Sequence, residues 1–260
     1  MGEGADELDI LYQDAHLVAV NKPAGMLLHR SALDRRETRF LVQCLRDQIG
    51  RRVYPVHRLD KPTSGVVVFG LEPETARLLS QAFGAGEVTK TYLAVVRGFT
   101  DGHGRIDYPL VEELDRMTDQ LARQDKPAQP AVTDYRCLAR AELPYPVGRY
   151  PSARYSLLEV FPRSGRKHQI RRHMKHIFHP LIGDTTHGDG RHNRFFRERF
   201  GCRRLLLAAV ALGLHHPFSG ESLAFEASLD ADFRRVLEAL GWDDPRAESP
   251  TPQSDRPSRP

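Results

Sequence analysis

One carboxylate among basic residues is the feature of this chain most suited to chemistry. Asp60 lies in the nonapeptide His57-Arg58-Leu59-Asp60-Lys61-Pro62-Thr63-Ser64-Gly65. Neighbouring cations favour the ionised form of a carboxyl group, which is the form that a nucleophile or a general base requires. Pro62 disfavours a helix, and the three residues after it are typical of turns. These residues predict a charged aspartate on a rigid loop; the alternative is an ordinary aspartate that caps a turn.

Two predicted strands would position this loop and a nearby aromatic side chain. Val66-Val67-Val68-Phe69 is apolar without alternation, which is typical of a fully buried strand. Lys90-Thr91-Tyr92-Leu93-Ala94-Val95-Val96-Arg97-Gly98 has the composition of a strand. Lys90 and Tyr92 are two residues apart, so their side chains point to the same face. On these residues alone, Tyr92 is interpreted as a core or cross-strand aromatic.

A basic helix is predicted to open at Ser164-Gly165-Arg166-Lys167-His168-Gln169-Ile170-Arg171-Arg172-His173 and to end near Phe178, before Pro180. Its apolar residues are spaced four and three apart and form one buried stripe: Ile170, Met174 and Ile177. Arg171 lies beside that stripe and could point inward. A buried arginine needs a carboxylate partner, and Asp60 is the natural candidate, although spacing alone does not establish the pair.

Charge is unevenly distributed along the sequence. The segment from Arg163 to Arg204 holds 12 Lys/Arg and 3 Asp/Glu, a net charge of +9, whereas the whole chain carries +4 and the remainder therefore −5. A segregated basic region indicates a polyanionic partner, usually nucleic acid. A solvated basic helix without a partner is the alternative.

Composition indicates an ordinary globular protein, with 40% hydrophobic and 28% charged residues among 260. No apolar run has membrane-spanning length, and the acidic start does not resemble a signal peptide, so we expect a cytoplasmic protein that does not contact a membrane. Three separated cysteines without a CxxC pair support neither a disulfide framework nor a cysteine-based zinc site.

Six histidines between residues 168 and 192 raise the question of a metal site. His173, His176 and His179 follow one another at steps of three, so they drift around a helix, and they lack an acidic or cysteine companion. We therefore interpret them as RNA-facing or structural and expect no metal. A metal-dependent hydrolase would fit the number of histidines but not their spacing.

The nonapeptide around Asp60 resembles the His-Arg-Leu-Asp-x-x-Thr-Ser-Gly signature of the RluA-type pseudouridine synthases at every specified position. Three further segments resemble that family in the same order along the chain: Asn21-Lys22-Pro23-Ala24-Gly25, Lys90-Thr91-Tyr92 and the Gly-Arg-x-His-Gln-Ile-Arg motif at 165–171. The similarity extends from about Leu8 to Trp242. One departure is Ala208, where relatives commonly have a histidine.

The resemblance implies roles for the residues at matching positions. Asp60 is the catalytic nucleophile, Tyr92 contacts the target base, and Arg171 forms a salt bridge with Asp60. Arg58 inserts where the flipped base has left the helix. Substrate-binding roles are expected for six polar residues in or beside these motifs: Lys90, Arg166, Lys167, His168, Gln169 and Arg172.

The resemblance also implies an α+β fold with a mixed, mostly antiparallel central sheet flanked by helices and loops. We expect a disordered N-terminus at 1–7, one catalytic domain at 8–242 and a disordered Pro/Ser-rich tail at 243–260. No appended RNA-binding domain is expected, so the catalytic domain would bind RNA unaided. Breaking and remaking the N-glycosidic bond involves no redox change, and we expect neither a cofactor nor a metal.

Three loop segments resemble a tRNA-modifying branch of the family in particular: Ile10-Leu11-Tyr12-Gln13-Asp14, residues 107–115 and Gly148-Arg149-Tyr150-Pro151. The resemblance implies a monomeric enzyme that isomerises uridine 65 in the acceptor stem of tRNA. Two alternatives stay open. One is a pseudouridine synthase that acts on ribosomal RNA, and the other is an RNA-binding factor without turnover.

Overall fold

The computed structural model describes residues 7–29, 38–112 and 127–246. Most of the two predicted disordered ends lies outside these ranges. In the described residues ten strands form one sheet. In chain order they are β1 (Asp9–Gln13), β2 (Leu17–Lys22), β3 (Tyr54–Pro55), β4 (Ser64–Gly70), β5 (Thr89–Arg97), β6 (His103–Asp107), β7 (Val132–Leu143), β8 (Ala153–Pro162), β9 (Leu207–His215) and β10 (Ser222–Glu226).

Five helices accompany the sheet: α1 (Leu41–Ile49), α2 (Pro73–Ala85), α3 (Gln169–His176), α4 (Gly190–Phe200) and α5 (Ala231–Ala239). None of the helices in the described ranges is long and apolar enough to cross a membrane.

The strand order is β1-β2-β4-β9-β5-β8-β7-β6, with β10 on β9 and β3 on β4. Every pair is antiparallel except β4 and β9. This mixed, mostly antiparallel sheet with flanking helices confirms the predicted α+β class. The parallel pair matters for the site because it joins the strand that follows Asp60 to the middle of the sheet.

Alternation along β5 shows how the sheet separates two apolar layers. Leu93 and Val95 pack in a cluster with Phe196 of α4 and with α5, whereas Ala94 and Val96 pack with residues of α3. Successive side chains of a strand point to opposite faces, so one strand serves both layers. Helix α3 is thereby fixed against the face of the sheet that carries Ala94 and Val96.

Two elements are not evident in the local sequence. Residues 101–150 are rich in Pro, Gly and charged residues, yet they contain β7, a twelve-residue strand between β6 and β8. Helix α4 was not predicted, because six of its eleven residues are charged or histidine and conceal the buried His192 and Phe196. Helix α1 begins at Leu41, since Phe40 is extended and bridges to Leu27.

Candidate active site

A cleft of about 550 Å³ lies where the Asp60 loop, the start of β5 and the segment between β8 and α3 meet. It is lined by nine of the ten predicted site residues: Arg58, Asp60, Lys90, Tyr92, Arg166, Lys167, His168, Gln169 and Arg171. Its volume lies within the range of about 300–1,000 Å³ typical of small-molecule pockets. Arg172 does not line it. Motifs separated by more than 100 residues are thus brought to one place.

Ala209 of β9 sets the positions of the first two motifs. It pairs with Gly65 of β4 on one side and with Tyr92 of β5 on the other. Neighbouring strands lie about 4.8 Å apart, so Gly65 and Tyr92 are held about 10 Å from each other. Asp60 stands on the loop just before β4, where the Thr63 backbone N–H donates to the Asp60 carbonyl (3.0 Å). The sheet register therefore places the carboxylate and the aromatic ring at one cleft.

Asp60 and Arg171 form the ion pair that the sequence suggested. Arg171 Nη1 lies 3.1 Å from Asp60 Oδ2, and the Arg171 side chain is only 5% exposed. The His168 ring stands further away, with Nε2 3.9 Å from the same oxygen. A buried guanidinium at this distance forms a charge-assisted hydrogen bond with the carboxylate and restricts its orientation.

A second carboxylate, Asp184, holds Arg171 in place and was missed in the sequence. Arg171 Nε donates to Asp184 Oδ2 (2.7 Å) and Nη2 donates to Asp184 Oδ1 (2.9 Å). Asp184 Oδ1 also accepts from the backbone N–H groups of Thr186 and His187. Burial alone would raise the pKa of Asp184, but these hydrogen bonds outweigh it and the pKa is lowered. The only signal was a Gly-Asp pair in the loop after the basic helix.

Tyr92 lies on the inner side of the cleft, packed against the apolar clusters on both sides of its strand. Burial raises the pKa of the Tyr92 phenol, and the charge of Asp60 raises it further. The hydroxyl therefore stays protonated at neutral pH and cannot serve as a base. Tyr92 therefore offers the cleft an aromatic ring and a neutral hydroxyl.

Cations occupy the rim of the cleft. Lys90 lies on the same strand face as Tyr92, as predicted, and its ammonium donates to the Ser164 carbonyl (3.3 Å). Burial lowers the pKa of Lys90. Arg166 Nε donates to the Pro130 carbonyl (3.3 Å), and Arg58 is exposed at the mouth. A positively charged rim is suited to phosphate groups.

Two predicted substrate-binding residues have other surroundings. Gln169 is buried, and its amide is fully engaged within the protein: its oxygen accepts from Ser164 Oγ and Arg166 N, and its nitrogen donates to Val132 O and Thr133 Oγ1. It fixes the loop rather than offering groups to a substrate. Arg172 Nη1 donates to the Val111 carbonyl (2.8 Å), which directs it away from the cleft.

His168 has an unusual backbone conformation. It is the residue before α3 and has a φ of 56°, in the left-handed region that residues with a Cβ rarely adopt. Its Nδ1 lies 3.0 Å from Nε2 of the buried His187. Strained conformations are retained where the surroundings enforce them, often at functional sites. Here the conformation turns the chain into α3 and points the imidazole toward Asp60.

Two basic residues, Lys22 and His57, make hydrogen bonds around the Asp60 loop. Lys22 is fully buried, and its ammonium donates to the carbonyls of Pro23, Met26 and Lys61. Burial lowers the pKa of Lys22 to about 7. His57 Nε2 accepts from the Val68 N–H (3.0 Å) and is therefore neutral in the fold. The sequence indicated only a turn at Lys22: the Pro23 and Met26 carbonyls belong to that turn, whereas the Lys61 carbonyl is 39 residues away.

The position where relatives carry a histidine is part of the core. Ala208 is buried in β9, in the cluster that contains Leu93 and Leu206. It pairs with Ser64, whose hydroxyl accepts from Arg204 Nη2 (3.0 Å). The polar partner of Ser64 is thus Arg204, which precedes β9, and Ala208 contributes packing alone.

The basic-helix histidines have structural partners. His173 is buried between Thr133 Oγ1 (2.9 Å) and the Tyr108 carbonyl (3.0 Å), and His176 stacks on the Tyr108 ring. His179 Nδ1 lies 2.8 Å from the Arg97 carbonyl. Among the residues that the structure describes, no three His, Cys, Asp or Glu side chains are grouped so as to hold a metal ion.

Known proteins with similar sequences share one activity in their names. The model of a family described as RNA pseudouridylate synthase matches residues 16–176. The tRNA pseudouridine synthase C of Pectobacterium carotovorum is 57% identical over 235 residues, which are 90% of this chain and 62% of that protein. The protein of the same name from Vibrio cholerae is 54% identical over 90% of this chain and 96% of its own length.

Two solved human structures have the same fold. RNA Pseudouridylate Synthase Domain Containing 4 superposes with a TM-score of 0.67 and 27% identity, covering 91% of this chain and 94% of that one. RNA Pseudouridylate Synthase Domain Containing 1 gives a TM-score of 0.66 with 24% identity over 93% and 98%. The second likeness concerns the fold alone.

Proposed function

The chain belongs to the RNA pseudouridylate synthase family, and we propose that it isomerises uridine to pseudouridine in tRNA with Asp60 as its catalytic nucleophile. The observation that carries the assignment of Asp60 is its ion pair with the buried Arg171 inside a cleft of nucleoside size. The relatives of more than 50% identity that are named tRNA pseudouridine synthase C support tRNA as the substrate.

The reaction rearranges bonds without oxidation or reduction. The N1–C1′ bond of uridine breaks, the uracil rotates, and a C5–C1′ bond forms; C5 loses its proton and N1 gains one. Attack on C1′, attack on the ring and removal of a ribose proton are three first steps that an ionised carboxylate can perform. Arg171 pairs with the Asp60 carboxylate and orients it for this step. No electron acceptor is needed for the atoms to balance.

A base inside a stem must leave the helix before it can enter the cleft. Extruding it costs a few kcal/mol. In our proposal Tyr92 stacks on the flipped uracil and recovers about 1–3 kcal/mol, the usual worth of a base–aromatic stack. The exposed Arg58, at the mouth of the cleft, occupies the space that the base has left. Lys90, Arg166 and Lys167 would bind the flanking phosphates.

The resemblance of three loop segments supports a target at position 65 in the acceptor stem. We also propose that the enzyme is a cytoplasmic monomer that works without a cofactor, because one chain supplies the whole cleft and the reaction is an isomerisation. The catalytic roles are separable by mutation, since Asp60 performs the chemistry and the rim cations hold the RNA.

Release of tritium from tRNA transcribed with [5-³H]uridine tests this function. C5 loses its hydrogen only when it becomes the glycosidic carbon, so we expect release by the wild type and none by Asp60→Ala. Asp47→Ala removes an exposed carboxylate on α1 and is the matched control, for which we expect wild-type release. Activity of Asp60→Ala would contradict the nucleophile, and release from ribosomal RNA instead of tRNA would contradict the substrate.

A further inference from the structure

A second basic groove lies at the opposite end of the strands that form the cleft. We call it the arginine groove and define it by Arg97, Arg149, Tyr150, Arg154 and Arg191, which line a depression of about 820 Å³. The cleft uses the first residues of β5 and the last of β8, whereas this groove uses the last of β5 and the first of β8. Five residues at about 3.3 Å each separate Tyr92 from Arg97, a distance of about 17 Å along β5.

The arginine groove carries an excess of positive charge. Arg97 and Arg191 share one carboxylate, Asp189, at 2.7 and 3.6 Å. Arg154 pairs with Glu142 at 3.2 Å. Within the described ranges no carboxylate lies at ion-pair distance from Arg149. Four guanidinium groups are therefore matched by only two carboxylates, and the excess positive charge favours binding of an anion.

Two aromatic side chains lie exposed under arginines of this region. Tyr150 is 58% exposed, and the Arg149 guanidinium lies 4.9 Å from its ring centre and donates to its hydroxyl. Arg154 lies 5.2 Å above the partly exposed ring of Phe99. Arginines stacked on exposed rings present their donors outward in a fixed plane, an arrangement suited to phosphate groups.

Helix α3 connects the two sites along the surface. It starts at the cleft, and its exposed side chains Lys175 and His176 lead to Phe178, which is 80% exposed and has a φ of 63°. The Phe178 carbonyl accepts from Arg97 Nη2 (3.2 Å), so the end of this path adjoins the arginine groove. Exposed basic and aromatic side chains at the end of α3 therefore adjoin the arginine groove.

We propose that the arginine groove binds the sugar–phosphate backbone of the same RNA whose uridine enters the cleft. The inference rests on the proposed function, because the reaction supplies an RNA partner long enough to span both sites. Phosphate contacts fix register and carry no sequence information. The groove therefore positions the RNA helix, while the cleft selects the base. In this proposal the Gly148-Arg149-Tyr150-Pro151 loop, which lines the groove, contacts the RNA backbone.

The loop is built for close approach to the groove. Gly148 has a φ of 83°, and a Cβ at this position would stand 3.0 Å from Arg191 Nη1. A residue with a side chain would be strained there and would push against the guanidinium. The glycine thus lets the loop and α4 bring Arg149 and Arg191 to one depression.

Binding of tRNA as a function of salt tests the proposal. The experiment compares Arg149→Ala and Arg149→Ala/Arg191→Ala with Arg46→Ala/Arg77→Ala, which removes the same charge from exposed arginines of α1 and α2. All variants also carry Asp60→Ala, so that binding is measured without turnover. Each lost phosphate contact lowers the slope of log Kd against log salt by about 0.9. We expect the double groove variant to lose about 2 from the slope and to bind tRNA at least tenfold more weakly.

The control pair should keep the slope and affinity of the parent. Equal behaviour of the two double variants, or an unchanged slope for both groove variants with intact folding, would overturn the proposal. Arg149 is exposed, so the single variant remains informative if the double variant is unstable. A separate assay measures tritium release by the enzyme that retains Asp60. Absence of release would refute the proposed function, whereas the salt slope would still decide whether the groove binds RNA.

Discussion

Asp184 holds Arg171 by two hydrogen bonds, and the one remaining terminal nitrogen of Arg171 faces Asp60. The Asp184 side chain is 0% exposed and the Arg171 side chain 5%, so the pair is fixed inside the protein before any substrate arrives. A guanidinium shared in this way has little freedom to turn. The orientation of the proposed nucleophile is thus determined by a residue that does not touch it.

Asp184→Asn should lower kcat by about 10–100-fold, because the neutral amide no longer fixes Arg171 and the pair with Asp60 loosens. The Kd for tRNA should stay near the wild-type value, since Asp184 does not contact the RNA. Single-turnover rates and binding measure the two effects. Asp14→Asn changes another partly buried carboxylate, which accepts from the His16 and Leu17 N–H groups and pairs with His216 outside the cleft, and controls for lost stability. An equal loss of kcat in both variants would contradict a positioning role.

His57 should make the fold sensitive to acid. Burial lowers the pKa of His57 to about 3, with the charge of Lys90 adding to the effect, whereas an unfolded histidine titrates near 6.5. Between these values the unfolded chain binds the extra proton, so stability falls as pH decreases from about 6.5 toward 3, by at most about 1.4 kcal/mol per unit. Urea unfolding of wild type and His57→Gln at pH 4–7 measures this term. The variant should show a flatter profile; parallel profiles would contradict the assignment.

Tyr92→Phe should retain most activity, whereas Tyr92→Ala should lose about 10–100-fold, if the ring stacks on the flipped base. Stacking is worth about 1–3 kcal/mol, and tenfold in rate corresponds to about 1.4 kcal/mol. Tritium-release kinetics on tRNA compare the two variants directly. Equal losses would instead indicate that the hydroxyl is the essential group.

Lys167 and Arg172 lie five residues apart near the start of α3, but only Lys167 lines the cleft. Lys167 lines it, and Arg172 donates to the Val111 carbonyl instead. Lys167→Ala should therefore reduce the salt slope of tRNA binding by about 1, and Arg172→Ala should leave it unchanged. The two variants control for each other because each removes one cation. A larger change for Arg172→Ala would place that residue at the RNA after all.

Gly65 cannot carry a side chain, because a Cβ there would overlap the Ala209 carbonyl and its φ is 114°. Gly65→Ala should destabilise the fold by about 3 kcal/mol or more, through overpacking and backbone strain. Gly84→Ala, in α2 with nothing near the added carbon, should stabilise it by about 0.5–1 kcal/mol. Denaturant unfolding of both variants measures the contrast, and a neutral Gly65→Ala would show that β4 and β9 can separate locally.

Local periodicity allowed several parts of the site to be predicted from the sequence. Lys90 and Tyr92 share a strand face because side chains alternate, and Arg171 points inward because it flanks a helical apolar stripe. The resemblance of the Asp60 nonapeptide to a known signature supplied the nucleophile, and the family is confirmed by the comparisons. The roles of these residues remain predictions.

Tertiary structure alone decided what surrounds those residues. The sequence by itself determined the buried strand after Asp60, the basic helix and the pair of residues on β5, because each follows from spacing within a few residues. Three contacts depend on segments that meet only in the folded protein: Asp184 with Arg171, Lys22 with the Lys61 carbonyl and Arg172 with the Val111 carbonyl. Such contacts cannot be read from local sequence periodicity, because a hydrogen bond between distant segments does not impose a repeating pattern of residue types on either segment.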